Sequence, residues 1–271
     1  MTVIKRLRSE EVLKLSNDIG LGLGESYQIF NSLPQSTREA LINPSAQTIG
    51  KALNALVLCF TAPLIKLGIT KKAEIERFEN EIQQETNQIP EENRDSSKLG
   101  LVIKAIEEAK YQLNEDDIRA MYAKLIAATV DNRKNHFVTP RIAVAISQLG
   151  PDDALLLKYI NEQNGHVVPL GYVIKKTENG SLVITKKSVD FLGIGTFIEK
   201  DTSLDILESL GIIKVWTDAW LTSDIFDGSY NRIETSARSQ IPEGIAAEET
   251  EFSKGYFKVT DFGEALLQCI F

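Results

Sequence analysis

Apolar residues recur at helical spacing through roughly the first 160 residues, and the pattern changes to strand-like alternation beyond about residue 165. The clearest predicted helix follows Asn114. Its apolar residues Ile118, Met121 and Leu125 are three and four positions apart and therefore share one face. Asn114 is expected to cap this helix, because its short side chain can accept a hydrogen bond from a first-turn amide. The pattern predicts a bundle core around residues 97–149.

An apolar helix is predicted between Asn43 and Pro63. Asparagine caps free amides, and a proline in the first turn has no N–H group to leave unpaired, so Asn43-Pro44 is a typical helix start. The residue before a proline disfavours helical geometry, so the helix is expected to end near Thr61. A charged amphipathic helix should follow from Thr70 to Gln88.

Two interpretations of the apolar segment 50–69 stay open. Its uncharged run of about 14 residues is short for a bilayer span and is more typical of a core helix. The alternative is an interfacial segment that acts on a membrane or holds a partner. The candidate residues for contact with a membrane or a partner are Leu53, Leu56, Val57 and Phe60.

The last third of the chain has the element order of a winged-helix-like domain. Asn179-Gly180 is a strong hairpin signal between two strand-like runs. Helix, strand, long loop, strand and helix should then follow, with an enlarged, irregular wing loop near 224–254. The predicted segments are the hairpin strands Gly171–Lys176 and Ser181–Thr185, the helix Ser203–Leu210 closed by Gly211, the strands Ile212–Trp216 and Gly255–Thr260, and a last helix from Asp261.

These patterns predict a mainly α protein with a small β component. A helical region should occupy residues 1–150, and the winged-helix-like domain should occupy residues 151–271. An evenly spaced glycine stretch, Ile19–Gly24, is expected to be a connector, since its spacing does not match a phosphate-binding loop.

The charge balance argues against nucleic-acid binding. The 271 residues carry 30 Lys plus Arg and 38 Asp plus Glu, so the net charge is 30 − 38 = −8. In a winged-helix domain the helix that would enter the DNA major groove is Ser203–Leu210. It carries Asp205 and Glu208 and no basic residue, which disfavours contact with phosphates. One basic group remains as a candidate contact cluster, with a solubilising strand edge as the alternative: Lys175, Lys176, Lys186 and Lys187.

No catalytic, cofactor-binding or metal-binding residue is predicted, and we do not expect an enzyme. His136 and His166 have no ligand partner at helical spacing. The acidic run Glu115–Asp117 occupies a first helical turn, where carboxylates meet the positive end of the helix dipole. Two isolated cysteines and the absence of a readable signal peptide favour a reducing, cytoplasmic location, with membrane association on activation as the alternative.

Several stretches, in order, resemble the Abi-alpha (abortive infection alpha) family from about Arg38 onward. The family's usual His-Pro pair is replaced by Thr139-Pro140, where threonine can serve as a helix cap. The matching stretches are Ile42–Leu53, Ile89–Asn93, Asn114–Leu125, Gln148–Ala154, Leu204–Gly211 and Gly255–Gly263.

The resemblance implies a bacterial phage-defence protein and supplies no catalytic residues. We expect a non-enzymatic binding or assembly module whose partner is a phage or host protein or a second copy of the chain. A membrane-active effector that uses segment 50–69 is the alternative, and a nucleic-acid regulator is a third hypothesis.

Overall fold

A computed structural model describes Gln35 and residues 49–66, 68, 71–191, 195–197 and 201–271. About 55% of the chain is helical and 17% is strand, which confirms a mainly α protein with a small β component. The chain divides into two compact units: one contains the described residues up to Pro151 together with Ala265–Phe271, and the other is Asp152–Glu264. The predicted helix start at Asn43-Pro44 and the glycine stretch Ile19–Gly24 lie outside the described residues.

The first unit is built of helices around an apolar core. The fourth helix, α4, packs against the second, third and fifth, so its residues are buried on most sides. Tyr122 of α4 is fully buried, and its hydroxyl donates a hydrogen bond to the carbonyl of Ala143 at 3.0 Å. The helices are α1 (Ile49–Lys66), α2 (Lys72–Asn87), α3 (Leu99–Ala109), α4 (Asp116–Thr129) and α5 (Pro140–Ser147).

Two predicted helix boundaries in this unit are wrong. Glu115, in extended geometry, occupies the position before α4, and the Asn114 side chain donates a hydrogen bond to the Glu115 carboxylate at 2.8 Å. Asn114 is therefore not the cap. Helix α1 continues through Pro63 to Lys66. An interior proline costs a helix about 3 kcal/mol, which the packing of α1 against α2 and α3 outweighs.

The second unit holds an antiparallel sheet of six strands in the order β4-β3-β1-β6-β5, with β2 also paired to β1. The predicted hairpin is confirmed: β1 and β2 pair with Thr177 opposite Gly180. The predicted helix stop at Gly211 is also confirmed, by its φ of +75°. The strands are β1 (Val167–Thr177), β2 (Gly180–Val183), β3 (Ser188–Phe191), β4 (Gly195–Phe197), β5 (Ile213–Trp216) and β6 (Thr250–Val259).

The expectation of an irregular wing loop near 224–254 is wrong. Helix α8 (Asp227–Arg238) lies in this segment and packs on β1 and β3, and β6 already begins at Thr250. A Cβ on Gly171 would overlap the Phe252 ring of β6 and lie 3.0 Å from Ile233 of α8, so the glycine makes room for both side chains. The remaining helices are α6 (Pro151–Asn161), α7 (Asp201–Ser209) and α9 (Asp261–Ile270).

Candidate functional site

The apolar face of α1 lies in the core of the first unit. Leu53, Leu56 and Val57 are fully buried, and Phe60 is half-buried. Leu53, Leu56 and Val57 are therefore core residues in this structure. None of the described helices combines the length and apolarity needed to cross a bilayer. A membrane-active role would require this buried face to leave the core.

The basic cluster of the hairpin is largely paired with acidic side chains. Lys175 contacts Glu249 at 2.5 Å, and Lys176 forms an ion pair with Glu251 on the neighbouring strand β6. Lys187 pairs with Asp205 of α7 at 3.5 Å, and Lys186 is exposed. Strand β1 and the turn before β6 enclose a groove of about 580 Å³ that lysine and glutamate residues line together. The surface is therefore of mixed charge.

Helix α7 carries the two carboxylates that disfavour its contact with DNA phosphates. Glu208 accepts a hydrogen bond from the backbone amide of Val215 at 2.9 Å. Val215 belongs to β5, the outermost strand next to β6. The Glu208 carboxylate thus covers an N–H group on the edge of the sheet, where an unpaired amide could recruit another strand.

In the acidic turn at the start of α4, Asp116 forms an ion pair with a buried arginine. Arg119 is 5% exposed and donates hydrogen bonds to Glu81 of α2 at 2.9 Å and to the carbonyl of Leu113 at 2.9 Å. It also pairs with Asp116 at 2.7 Å. The carboxylates of Glu81 and Asp116 therefore neutralise a buried guanidinium. Asp116 also interacts favourably with the positive N-terminal end of the helix dipole.

A polar network ties the connector after α2 to the turn after α4. The Asn93 side chain donates to the Asn132 side chain at 2.9 Å, and the Asn132 backbone amide donates to the Asn93 carbonyl at 2.8 Å. The buried Asn135 side chain donates to Asp95 at 2.8 Å. Because the family-like stretch Ile89–Asn93 lies in this network, its asparagine has a structural explanation.

A cavity of about 160 Å³ lies beside this network, at the end of α4. Asp131 on its wall is buried, and the hydrogen bonds from Arg133 lower the pKa of the carboxyl. A carboxylate held in this way is a weak base.

Burial raises the pKa of the Cys269 thiol to about 11, so this cysteine is protonated at neutral pH and is a poor nucleophile.

The histidines occupy different environments. His166 contacts Glu264 through Nδ1 at 2.8 Å, and the His136 ring packs on Phe137 with centroids 3.9 Å apart.

Thr139 occupies the position before α5 with Pro140 in its first turn, as predicted, but its hydroxyl makes no capping hydrogen bond. Across the described part of the chain, no group of three or more His, Cys, Asp or Glu residues is arranged to hold a metal ion.

Sequence reasoning missed an ion pair in the second unit that involves a buried aspartate. Asp190 of β3 is fully buried, and Arg232 of α8 donates to both of its oxygens, at 3.1 and 2.7 Å. The two residues are far apart in the chain and belong to no local motif. Alternation along β3 places Asp190 on the opposite face from Val189 and Phe191, which locally indicates an exposed aspartate. Asp190 is buried because α8 packs on β3, and a local pattern does not contain that contact.

We compared the chain with known protein families. The sequence model of the family described as abortive infection alpha matches residues 70–270. The chain belongs to the abortive infection alpha family. No curated protein and no solved structure matches it. The resembling stretch Ile42–Leu53 lies outside the residues that match the family, whereas the network around Asn93, the helix α7 and the start of α9 lie within them.

Proposed function

We propose that this abortive infection alpha chain is a phage-defence protein that acts by binding or assembly and not by catalysis. Membership in the family carries the defence role. Three potentially reactive side chains support action by binding or assembly. The Cys269 thiol has a raised pKa, and the carboxylates of Asp131 and Asp190 both form ion pairs with arginines. Groups held in this way are suited to maintaining a fold or an interface.

The hairpin of the second unit is the proposed contact surface. Its groove presents lysine and glutamate side chains together, which suits a polar partner segment that carries both charges. The partner would be a phage or host protein or a second copy of the chain. We also propose that this unit is winged-helix-like, since the hairpin β1–β2 and the helices α6 and α7 supply parts of that fold.

Infection of a susceptible bacterium that expresses the chain tests this function. Phage yield per infected cell should fall, the infected cells should not survive, and their membrane potential should persist until lysis. The double variant Lys175→Gln/Lys176→Gln should lose protection, whereas Lys71→Gln/Lys72→Gln, which removes the same charge from exposed positions of the first unit, should retain it.

An unchanged phage yield with wild-type protein would refute the defence role. Early collapse of the membrane potential would instead support a membrane-active effector. Equal protection by both double variants would remove the hairpin as the contact surface.

A further inference from the structure

A cluster of aromatic and basic side chains stands on one face of strands β5 and β6. Residues directly opposite in an antiparallel pair share a face, and here Lys214 lies opposite Lys258 and Trp216 opposite Tyr256. The Trp216 and Tyr256 rings stack with centroids 4.8 Å apart and planes within 9°. Lys254 precedes Tyr256 by two residues and so lies on the same face. We call these five residues the aromatic–lysine face.

The charges of this face are unbalanced. Like charges directly opposite each other destabilise a sheet, yet Lys214 and Lys258 occupy such a pair. Within the described chain, no carboxylate forms an ion pair with Lys214, Lys254 or Lys258. The Lys214 ammonium instead lies 5.3 Å from the Trp216 ring centroid. This cation–π contact offsets part of the like-charge cost, and Lys214 and Lys258 both remain exposed for contact with an anionic ligand.

A second tryptophan lies near this face. The Leu221 amide donates a hydrogen bond to the Tyr230 hydroxyl at 3.0 Å, and the Lys254 ammonium lies 4.9 Å from the Tyr230 ring centroid. The chain therefore carries Trp220, which is 56% exposed, to the Lys254 side of the face.

We propose that the aromatic–lysine face binds single-stranded nucleic acid. Accessible aromatic rings on a sheet stack with unpaired bases, and lysines beside them contact the phosphates that link those bases. Trp216 and Tyr256 are each partly exposed. A duplex hides its base faces within its own stack, so it should bind less well. The net charge of −8 argues against nucleic-acid binding by the chain as a whole, but charges farther away than about 8 Å from this face are screened at physiological salt. The Glu208 carboxylate lies beside the face and accepts the hydrogen bond of the Val215 amide. The proposal goes beyond the defence function and does not depend on it.

Intrinsic fluorescence offers a direct test, because Trp216 and Trp220 are the two tryptophans of the chain. The purified full-length chain is titrated with an oligothymidine of about twelve nucleotides, a length within the range that one single-strand site covers. Fluorescence should be quenched, and the affinity should fall with salt at a slope of about −0.7 per phosphate contacted, or about −2 for three lysines.

Paired variants locate the site. Lys214→Gln/Lys258→Gln should weaken binding about tenfold or more at low salt and reduce the slope to about −0.7, without lowering the melting temperature, since the like-charge pair is removed. Lys71→Gln/Lys72→Gln makes the same change in net charge and should bind like wild type. Trp216→Leu should weaken binding, and Trp216→Phe should restore part of it by retaining a ring.

Each contrary result overturns the proposal. The contrary results are no quenching of tryptophan fluorescence by oligothymidine, equal affinity for the matching duplex, and binding by Lys214→Gln/Lys258→Gln that equals that of the wild type. Equal quenching by free thymidine monophosphate at the same base concentration would indicate a mononucleotide site. Equal competition by polyglutamate would indicate a surface for acidic proteins. The phage-yield assay is separate, so failure of one hypothesis is distinguishable from failure of the other.

Discussion

At the scale of single residues, Arg119 is the polar side chain that links α4 to α2 in the first unit. It satisfies Glu81, Asp116 and the Leu113 carbonyl from a buried position. Arg119→Ala leaves Glu81 and the carbonyl without their donor and should lower the free energy of unfolding by about 3 kcal/mol. Asn114→Ala should lower it by less than about 0.5 kcal/mol, because Asn114 is not the cap. Urea denaturation measures both. A larger loss for Asn114→Ala would contradict the assignment of Glu115 to the cap position.

The Asp131–Arg133 pair predicts a pH dependence. The folded pKa of Asp131 is lowered by the Arg133 hydrogen bonds and lies below the unfolded value of about 3.9. The pair therefore stabilises the fold above that value, and its contribution disappears as the pH falls through the folded pKa. Arg133→Gln should have a lower melting temperature than wild type near pH 7, and the difference should shrink on acidification toward about pH 3. A difference that stays constant over this range would show that the pair is not its source.

At the scale of elements, helix α1 supplies a matched pair of leucines. Leu56 is fully buried, whereas Leu58 is 48% exposed on the same helix. Leu56→Ala should lower the free energy of unfolding by about 2 to 5 kcal/mol through a core cavity, and Leu58→Ala by less than about 1 kcal/mol. Thermal and urea denaturation would test this. Equal small losses would show that α1 does not contribute to the core in solution.

Local patterns predicted the elements better than their boundaries and partners. The spacing of apolar residues correctly indicated α2 and α4, and Asn179-Gly180 correctly indicated the β1–β2 turn. Helix α8 was missed because its sequence is mostly polar, although Tyr230, Ile233 and Ala237 lie at helical spacing and are buried. Its stability comes from packing on the sheet, which a local pattern does not contain.

The candidate surfaces were predictable only in part. The lysines of the hairpin could be named from the sequence, but Glu249 and Glu251, which pair with two of them, come from the turn before β6 and from β6, more than 70 residues later. The aromatic–lysine face was missed for the same reason, since it exists only when β5 and β6 are in register. Pairing between distant strands depends on the whole fold.

At the scale of the whole molecule, the last residues of the chain belong to the first unit although the second unit precedes them. Ile270 is buried with the first unit, and Leu207 is buried in the second. Each substitution by alanine should lower the stability of its own unit by about 2 to 5 kcal/mol. Ile270→Ala should accelerate hydrogen exchange most in α4, and Leu207→Ala should accelerate it most in β5 and β6, because local opening follows the unit that loses contacts. If Ile270→Ala accelerated exchange in the second unit alone, the C-terminal residues would belong to that unit, and the first would end at Pro151.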